Sequence, residues 1–203
     1  QYSTFRMNTK HLYNNKIKIP EKTTSDFMWL GGILLGDGHI DLKSNKINIA
    51  TNVREDIRPV LINVVKKLFN YEIKEKEERY VEIYSKVLAE LFKDIGLAGT
   101  ANNKKVPDWI FTLPKEQILA FLAGYFDSDG HPTKSALAFT SINKELLKKI
   151  QLFGIYCGFG VSRIFKHGSK GKVNILGVEC NSEDSWRLYF NGPNIRNFPT
   201  KSA

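Results

Sequence analysis

Trp29-Leu30-Gly31-Gly32-Ile33-Leu34-Leu35-Gly36-Asp37-Gly38-His39 is an apolar, helix-like stretch that runs into a glycine-rich turn carrying an aspartate. Phe121-Leu122-Ala123-Gly124-Tyr125-Phe126-Asp127-Ser128-Asp129-Gly130-His131 follows the same template. Aligned without a gap, Leu30 meets Leu122, Gly32 meets Gly124, Asp37 meets Asp129 and His39 meets His131. A repeat of this kind predicts two related halves, each bringing one aspartate to the same local geometry. Small residues one turn apart, Gly32 and Gly36 in one copy and Gly124 and Ser128 in the other, predict close backbone approach of the two helices, because a helical glycine otherwise costs up to ~1 kcal/mol.

The chain has 203 residues, 42% of them hydrophobic and 12% aromatic, enough for real cores. Thirty Lys and Arg against 21 Asp and Glu leave a formal charge of +9, which suits a polyanionic partner. Cys157 and Cys180 are too few and too far apart for a disulfide framework or a zinc cluster, and read as two buried, reduced thiols of an intracellular protein. No run approaches the ~18 apolar residues of a membrane span, and no signal peptide opens the chain, so no membrane partner is expected. The chain opens at Gln1 and reads as a piece of something longer.

Residues 1–24 read as a basic arm or linker. The first half, 25–99, predicts α-β-β-α-β-β-α: a helix from about Phe27 to Gly36, a hairpin of His39–Lys43 and Lys46–Ala50, and a helix from Arg54 to Phe69. Strands at Tyr71–Lys76 and Arg79–Ser85 and a short helix ending at Gly96 complete it. After a linker, 100–114, the second half, 115–203, restarts with a helix to Ser128. A strand near Ala136–Thr140 and a helix from Lys144 to Cys157 follow, then strands at Val161–His167, Val173–Glu179 and Trp186–Asn191. The last of these lacks a counterpart in the first half and reads as an insertion.

Asp37 and Asp129 should fall just past helix C-termini, where about half a negative charge disfavours a carboxylate unless a cation is present. With helix-end carbonyl oxygens they make a hard-oxygen site suited to Mg2+ or another divalent cation, and a matched carboxylate pair is what metal-assisted phosphodiester hydrolysis requires. The strands leaving each turn should present His39, Asp41, Lys43, Lys46, Asn48, Lys74 and Lys76 outward, with Ile40 and Leu42 facing the core. Arg163, Lys166, Lys170, Lys172 and Arg187 supply the basic surface of the second half. Such faces carry both the charge for phosphates and the donors and acceptors for base edges.

These motifs resemble those of the LAGLIDADG homing endonucleases, in the single-chain form with two motifs, and the Leu-Gly-Asp-Gly-His at 35–39 resembles the variant found in endonuclease domains of inteins. The resemblance covers nearly the whole chain. It implies an α+β fold of two pseudo-symmetric αββαββα halves whose four-stranded antiparallel sheets form a DNA-binding saddle. It also implies a monomer that cuts both strands of double-stranded DNA at a long recognition site, with Asp37 and Asp129 as metal ligands assisted by the carbonyls of Gly36 and Ser128. Leu35 stands where Asp127 keeps an acidic residue, a position the family uses structurally. The family places a basic residue near the metals: Lys104, in Lys104-Lys105-Val106-Pro107, fits the first and Lys201 is its counterpart. Asn52 and Ser141 match positions of polar, water-organising side chains. If the chain is an intein domain with a separate splicing domain, its own splicing residues are absent, since position 1 is Gln and no His-Asn pair closes the sequence. A catalytically inactive DNA-binding regulator or an RNA maturase on the same scaffold is the alternative.

Overall fold

The computed structural model describes residues 17–75, 77–100, 103–175 and 177–202. The first half comprises α1 (Ser25–Asp37), β1 (Gly38–Asp41), β2 (Lys46–Ala50), α2 (Ile57–Phe69), β3 (Tyr80–Tyr84) and α3 (Lys86–Asp94). A 3-10 turn at Asp108–Thr112 leads to the second half. That half comprises α4 (Lys115–Asp129), β4 (Gly130–Pro132), β5 (Leu137–Ser141), α5 (Lys144–Tyr156), β6 (Gly160–Val161), β7 (Phe165–Gly168), β8 (Gly171–Ile175), β9 (Val178–Ser182) and β10 (Ser185–Asn191). It closes with a 3-10 turn at Pro193–Asn197. All strand pairs among the described residues are antiparallel, and the chain is α+β as expected.

Thr24 starts α1 by accepting the Phe27 amide on its Oγ1 at 3.2 Å, and Asp26 sits favourably in the first turn. The helix is buried from Phe27 to Leu35, which is why its apolar residues show no one-sided pattern. It packs on α4, and the crossing is main chain against main chain. A methyl group at Gly32 would collide with Phe121 O and stand 2.5 Å from Tyr125 N; one at Gly124 would collide with Trp29 O and stand 3.1 Å from Ile33 N. The motif alignment equates Trp29 with Phe121 and Ile33 with Tyr125, so the two glycines meet equivalent partners, as a twofold axis demands. Gly36 faces its own counterpart, Ser128, and marks where the axis runs.

The two sheets are not four-stranded copies. The first is β1-β2-β3, with Ile47 and Ile49 buried from its inner side. Of the expected strand at Tyr71–Lys76, the described residues 71–75 form no strand. The Tyr71 hydroxyl, not a neighbouring backbone, receives the amide of Tyr84 at 3.0 Å, and the carbonyls of Glu77 and Glu78 are taken by Arg58. Helix α2 starts at Ile57 rather than Arg54, leaving a loop at 51–56. Strand β1 ends at Asp41, whose carboxylate accepts from Lys43 N and Ser44 Oγ to build the turn, so Leu42 is 41% exposed rather than core-facing.

The second sheet has the order β4-β5-β10-β6, with β7 also pairing to β10. The expected strand at Val161–His167 is broken into β6 and β7. That expected at Val173–Glu179 is instead a separate hairpin, β8-β9, turning at Gly177 with φ +86°. This hairpin is the added element; β10 takes the place beside β5 that β3 takes beside β2. Phe126, Phe139, Phe159, Phe190 and Phe198 stack into one core beneath the sheet. Cys157 is buried there, with burial pushing its thiol up to about 11, while Cys180 is half-buried rather than buried. No described helix is long and apolar enough to cross a membrane.

Candidate active site between the motif helices

Asp37 and Asp129 are the last residues of α1 and α4, one position earlier than the sequence suggests. The helix crossing brings them together: a methyl group at Gly36 would collide with Ser128 Oγ and stand 3.2 Å from Asp129 Oδ2. Two carboxylates in a half-dry place cannot both ionise cheaply. Burial, then the charge of Asp129, raises Asp37 to about 7, with Glu55 adding to the rise and Lys104 opposing it. Burial likewise raises Asp129, against the pull of Lys104.

Lys104 lies between the halves and is only 6% exposed. Its ammonium donates to Gly36 O at 2.8 Å and Leu34 O at 3.1 Å, at the negative end of α1. Burial pulls its affinity for a proton down while the two aspartates hold it up. Asn143, which caps α5 by accepting the Leu146 amide, also donates to the backbone oxygen of Lys104 at 2.8 Å, so the second half fixes the linker that carries it.

Lys201 is not part of this cluster. Its ammonium pairs with Asp26 at 2.6 Å and lies 4.8 Å from the centre of the Trp29 ring, near the far end of α1. Its backbone amide donates to Asp127 Oδ2 at 2.8 Å, where Trp29 Nε1 donates too, and Ser202 Oγ donates to Oδ1. Asp127 therefore ties the C-terminal strand of chain to both motif helices. Its counterpart Leu35 is buried at 2% exposure, on the side where the twofold mate of Trp29 is Phe121, which has no N–H to donate.

Of the remaining candidates, Asn52 is exposed and accepts the Arg54 amide on its Oδ1, and Ser141 Oγ accepts the Asn143 amide. Ser128 Oγ donates back to Tyr125 O at 3.0 Å. Nearby the Tyr125 hydroxyl is buried without a hydrogen-bond partner among the described residues, set towards Ser141 but outside bonding geometry; burial raises it strongly. His39, Lys46 and Asn48 share the outward side of the first sheet with Glu82 and Tyr84, which sequence reasoning missed. Lys46 pairs with Glu82 and lies 5.4 Å from the Tyr84 ring centre. Asp41 is spent on its own turn, and Lys43 is exposed. Lys74 is exposed but belongs to no strand, and Lys76 lies outside the described residues.

In the second half Arg163 is exposed between β6 and β7, and Arg187 Nε donates to Thr140 Oγ1 at 2.8 Å. Lys166, Lys170 and Lys172 each pair with an acid, Asp184, Glu183 and Glu179 respectively. The ribbon is therefore less basic than its lysines suggest.

Beside Asp37 opens a cleft of about 580 Å3, lined among others by Asn52, Arg54, Glu55, Arg79 and Ser128. Arg54 and Glu55 were hidden by the helix read from Arg54, and Arg79 by the strand read from it, so none was singled out from sequence. Among the described residues no three His, Cys, Asp or Glu side chains converge as a ready-made metal cage. Two adjoining carboxylates with helix-end carbonyls nevertheless fit a hard divalent cation that keeps water and takes phosphate oxygens. Such an ion would also offset the burial that raises both acids and the charge of Asp129 that adds to the rise of Asp37.

Comparison with known proteins agrees with this architecture. Residues 116–198 match the family model of the LAGLIDADG-like domain. A variant of the homing endonuclease I-DmoI superposes with a TM-score of 0.59 at 17% identity, covering 86% of this chain and 92% of that one. The second half of the chain carries a LAGLIDADG-like domain. I-DmoI has itself been solved with DNA and calcium and with DNA and manganese. Curated relatives of the chain include an iron–sulfur cluster assembly SufBD family protein of Mycobacterium leprae, 26% identical over 77% of this chain and 18% of that protein. A reverse gyrase of Methanocaldococcus jannaschii is 28% identical over 92% of this chain and 11% of that protein. The chain thus spans less than a fifth of the length of either.

Proposed function

We propose that this chain is a site-specific double-stranded DNA endonuclease that hydrolyses phosphodiester bonds with Mg2+ or a similar divalent cation. The observation that carries the reading is the meeting of Asp37 and Asp129 at the ends of two helices in backbone contact, with the buried ammonium of Lys104 beside them. A cation held there would polarise a phosphate oxygen and favour hydroxide over water. The chain's own residues do the rest: the aspartates hold the ion, and the Gly32–Gly124 crossing sets their separation. Lys104 offsets charge growing on the phosphate, and Asn143 fixes the lysine. Lys43, Arg163 and the outward residues of the first sheet would hold the duplex.

One chain supplies both carboxylates, so it acts as a monomer in this reading. Sedimentation with and without DNA checks that. A non-cutting DNA binder would have no use for two buried acids and a buried lysine, each costly to keep in a half-dry site. The test is a randomised plasmid pool incubated with Mg2+, with Ca2+ and with a chelator. Linear product in Mg2+ alone, mapping to one sequence, supports the endonuclease; binding without cutting across a series of divalent metals leaves the regulator or maturase reading.

We further propose that the chain is carried as an insert in a longer, intracellular host protein, as inteins are. The support is that matching segments occupy small shares of a SufBD family protein and a reverse gyrase, whose names share no activity. Expression of the complete reading frame around this segment should yield a ligated host lacking it; a host that always retains the segment would count against the idea.

A further inference from the structure

Six residues, 51–56, join β2 to α2, whereas two, 142–143, join β5 to α5. The extra length in the first half is held by Arg58, in the first turn of α2, which is 2% exposed. Its guanidinium donates from Nη1 to Thr51 O at 2.8 Å and Glu78 O at 3.2 Å, from Nη2 to Glu77 O at 2.7 Å, and from Nε to Glu75 Oε2 at 2.9 Å. A charge this deeply buried is tolerated only when its donors are met in this way. The bonds lock the start of the loop to segment 77–79, which also continues the β2-β3 ladder: Thr51 N donates to Arg79 O at 3.0 Å and Val53 N to Glu78 O at 2.9 Å. Thr51, buried, donates from Oγ1 to Glu55 Oε2 at 3.0 Å. Glu55, Arg54 and Arg79 then line the cleft beside Asp37.

Among the described residues no such clamped loop joins β5 to α5 on the Asp129 side. There the short connection places Asn143 directly as the cap of α5 and the anchor of Lys104. We infer that Arg58 is a positioning residue for the Asp37 side of the cleft, and that the loop it holds makes the two strands of a bound duplex unequal in cleavage. The inference rests on the endonuclease reading. The strand processed beside Asp37 depends on the placement of Arg54, Glu55 and Arg79, and the strand processed beside Asp129 does not. Misplacement of such groups by a fraction of an ångström is felt in rate at the strand they serve.

The experiment uses Arg58→Met, which keeps the length of the side chain and removes its donors, and Thr51→Val, which keeps every Arg58 bond and removes only the tie to Glu55. Amide hydrogen exchange of the full chain without DNA should show lost protection at 51–56 and 77–79 in Arg58→Met, with α1 and α4 unchanged. End-labelled duplexes recovered from the plasmid pool as cut by the wild type in Mg2+ then give each strand's nicking rate. One strand should slow about tenfold in Arg58→Met and at least about threefold in Thr51→Val, the other staying within about twofold. Equal slowing of both strands, or an unchanged strand ratio in Thr51→Val, overturns the inference, and Thr51→Val decides it alone if Arg58→Met fails to fold. A wild type that nicks neither strand overturns the endonuclease reading and the strand inequality together, while the exchange data still decide whether Arg58 is the clamp.

Discussion

The ammonium of Lys104 stands 2.8 Å from the carbonyl oxygen of Gly36, so a residue of the linker closes the C-terminal end of the first motif helix. Lys104 thus neutralises the helix end and holds both aspartates partly in check, and in the proposed endonuclease it would offset charge on the phosphate. Lys104→Met is expected to cut turnover by about 10²- to 10³-fold with DNA affinity nearly unchanged. The same variant should move the rising limb of the pH–rate profile upward, because both carboxyls lose the charge that lowers them. Single-turnover nicking across pH checks both parts; an unshifted limb would remove Lys104 from the cluster's electrostatics.

Asp37 has an ordinary value of 3.8 and is raised to about 7 in the fold. The native protein therefore binds a proton there that the unfolded chain releases earlier. That contribution is fully present below pH about 4 and is lost as pH rises through about 7. Metal-free protein should melt at progressively lower temperature over this window. Asp37→Asn should flatten the trend and abolish cutting, and added Ca2+ should restore wild-type stability at pH about 8. Calorimetry at several pH values, with and without Ca2+, tests this; a wild type insensitive to both would contradict it.

Gly124 and Gly31 sit on motif helices but differ sharply in what surrounds them. A methyl group at Gly124 collides with Trp29 O, which cannot move without displacing α1, whereas at Gly31 the nearest atom is the flexible Leu97 Cδ1 at 3.1 Å. Gly124→Ala is expected to cost about 3 kcal/mol or more, as overpacking against backbone does. Gly31→Ala should fall within about 1 kcal/mol of wild type, helped by alanine's better helix propensity. Urea denaturation of the two variants separates these outcomes.

Lys201 pairs with Asp26, and that pair is partly exposed. Lys201→Ala should lower stability by no more than about 1 kcal/mol and leave nicking of both strands within about threefold. A loss approaching that of Lys104→Met would return Lys201 to the catalytic cluster.

The motif helices, the paired glycines and the meeting of two aspartates were legible because a repeated pattern makes a single geometric demand twice. Three features were not. The strand expected at Tyr71–Lys76 has the right alternation, yet its backbone partners are captured by a tyrosine hydroxyl and by Arg58, interactions 13 to 20 residues apart in sequence. Arg58 itself looks like an ordinary polar residue of a helix surface, since burial of a guanidinium leaves no periodic trace. Lys201 was placed by analogy with Lys104, but the tail that carries it is tied down by Asp127, which has no acidic twin in the first motif. Symmetry therefore served as a good guide to the axis and a poor one to its periphery.

The crossing of Gly32 and Gly124 is built from peptide groups, and peptide groups are the same in every protein. Any lobe that keeps its glycine presents an identical coupling surface at that point, whatever its remaining side chains have become. Each lobe can accordingly change its other side chains without altering this point of the joint, while the Trp29–Asp127 bond ties the same two helices through side chains.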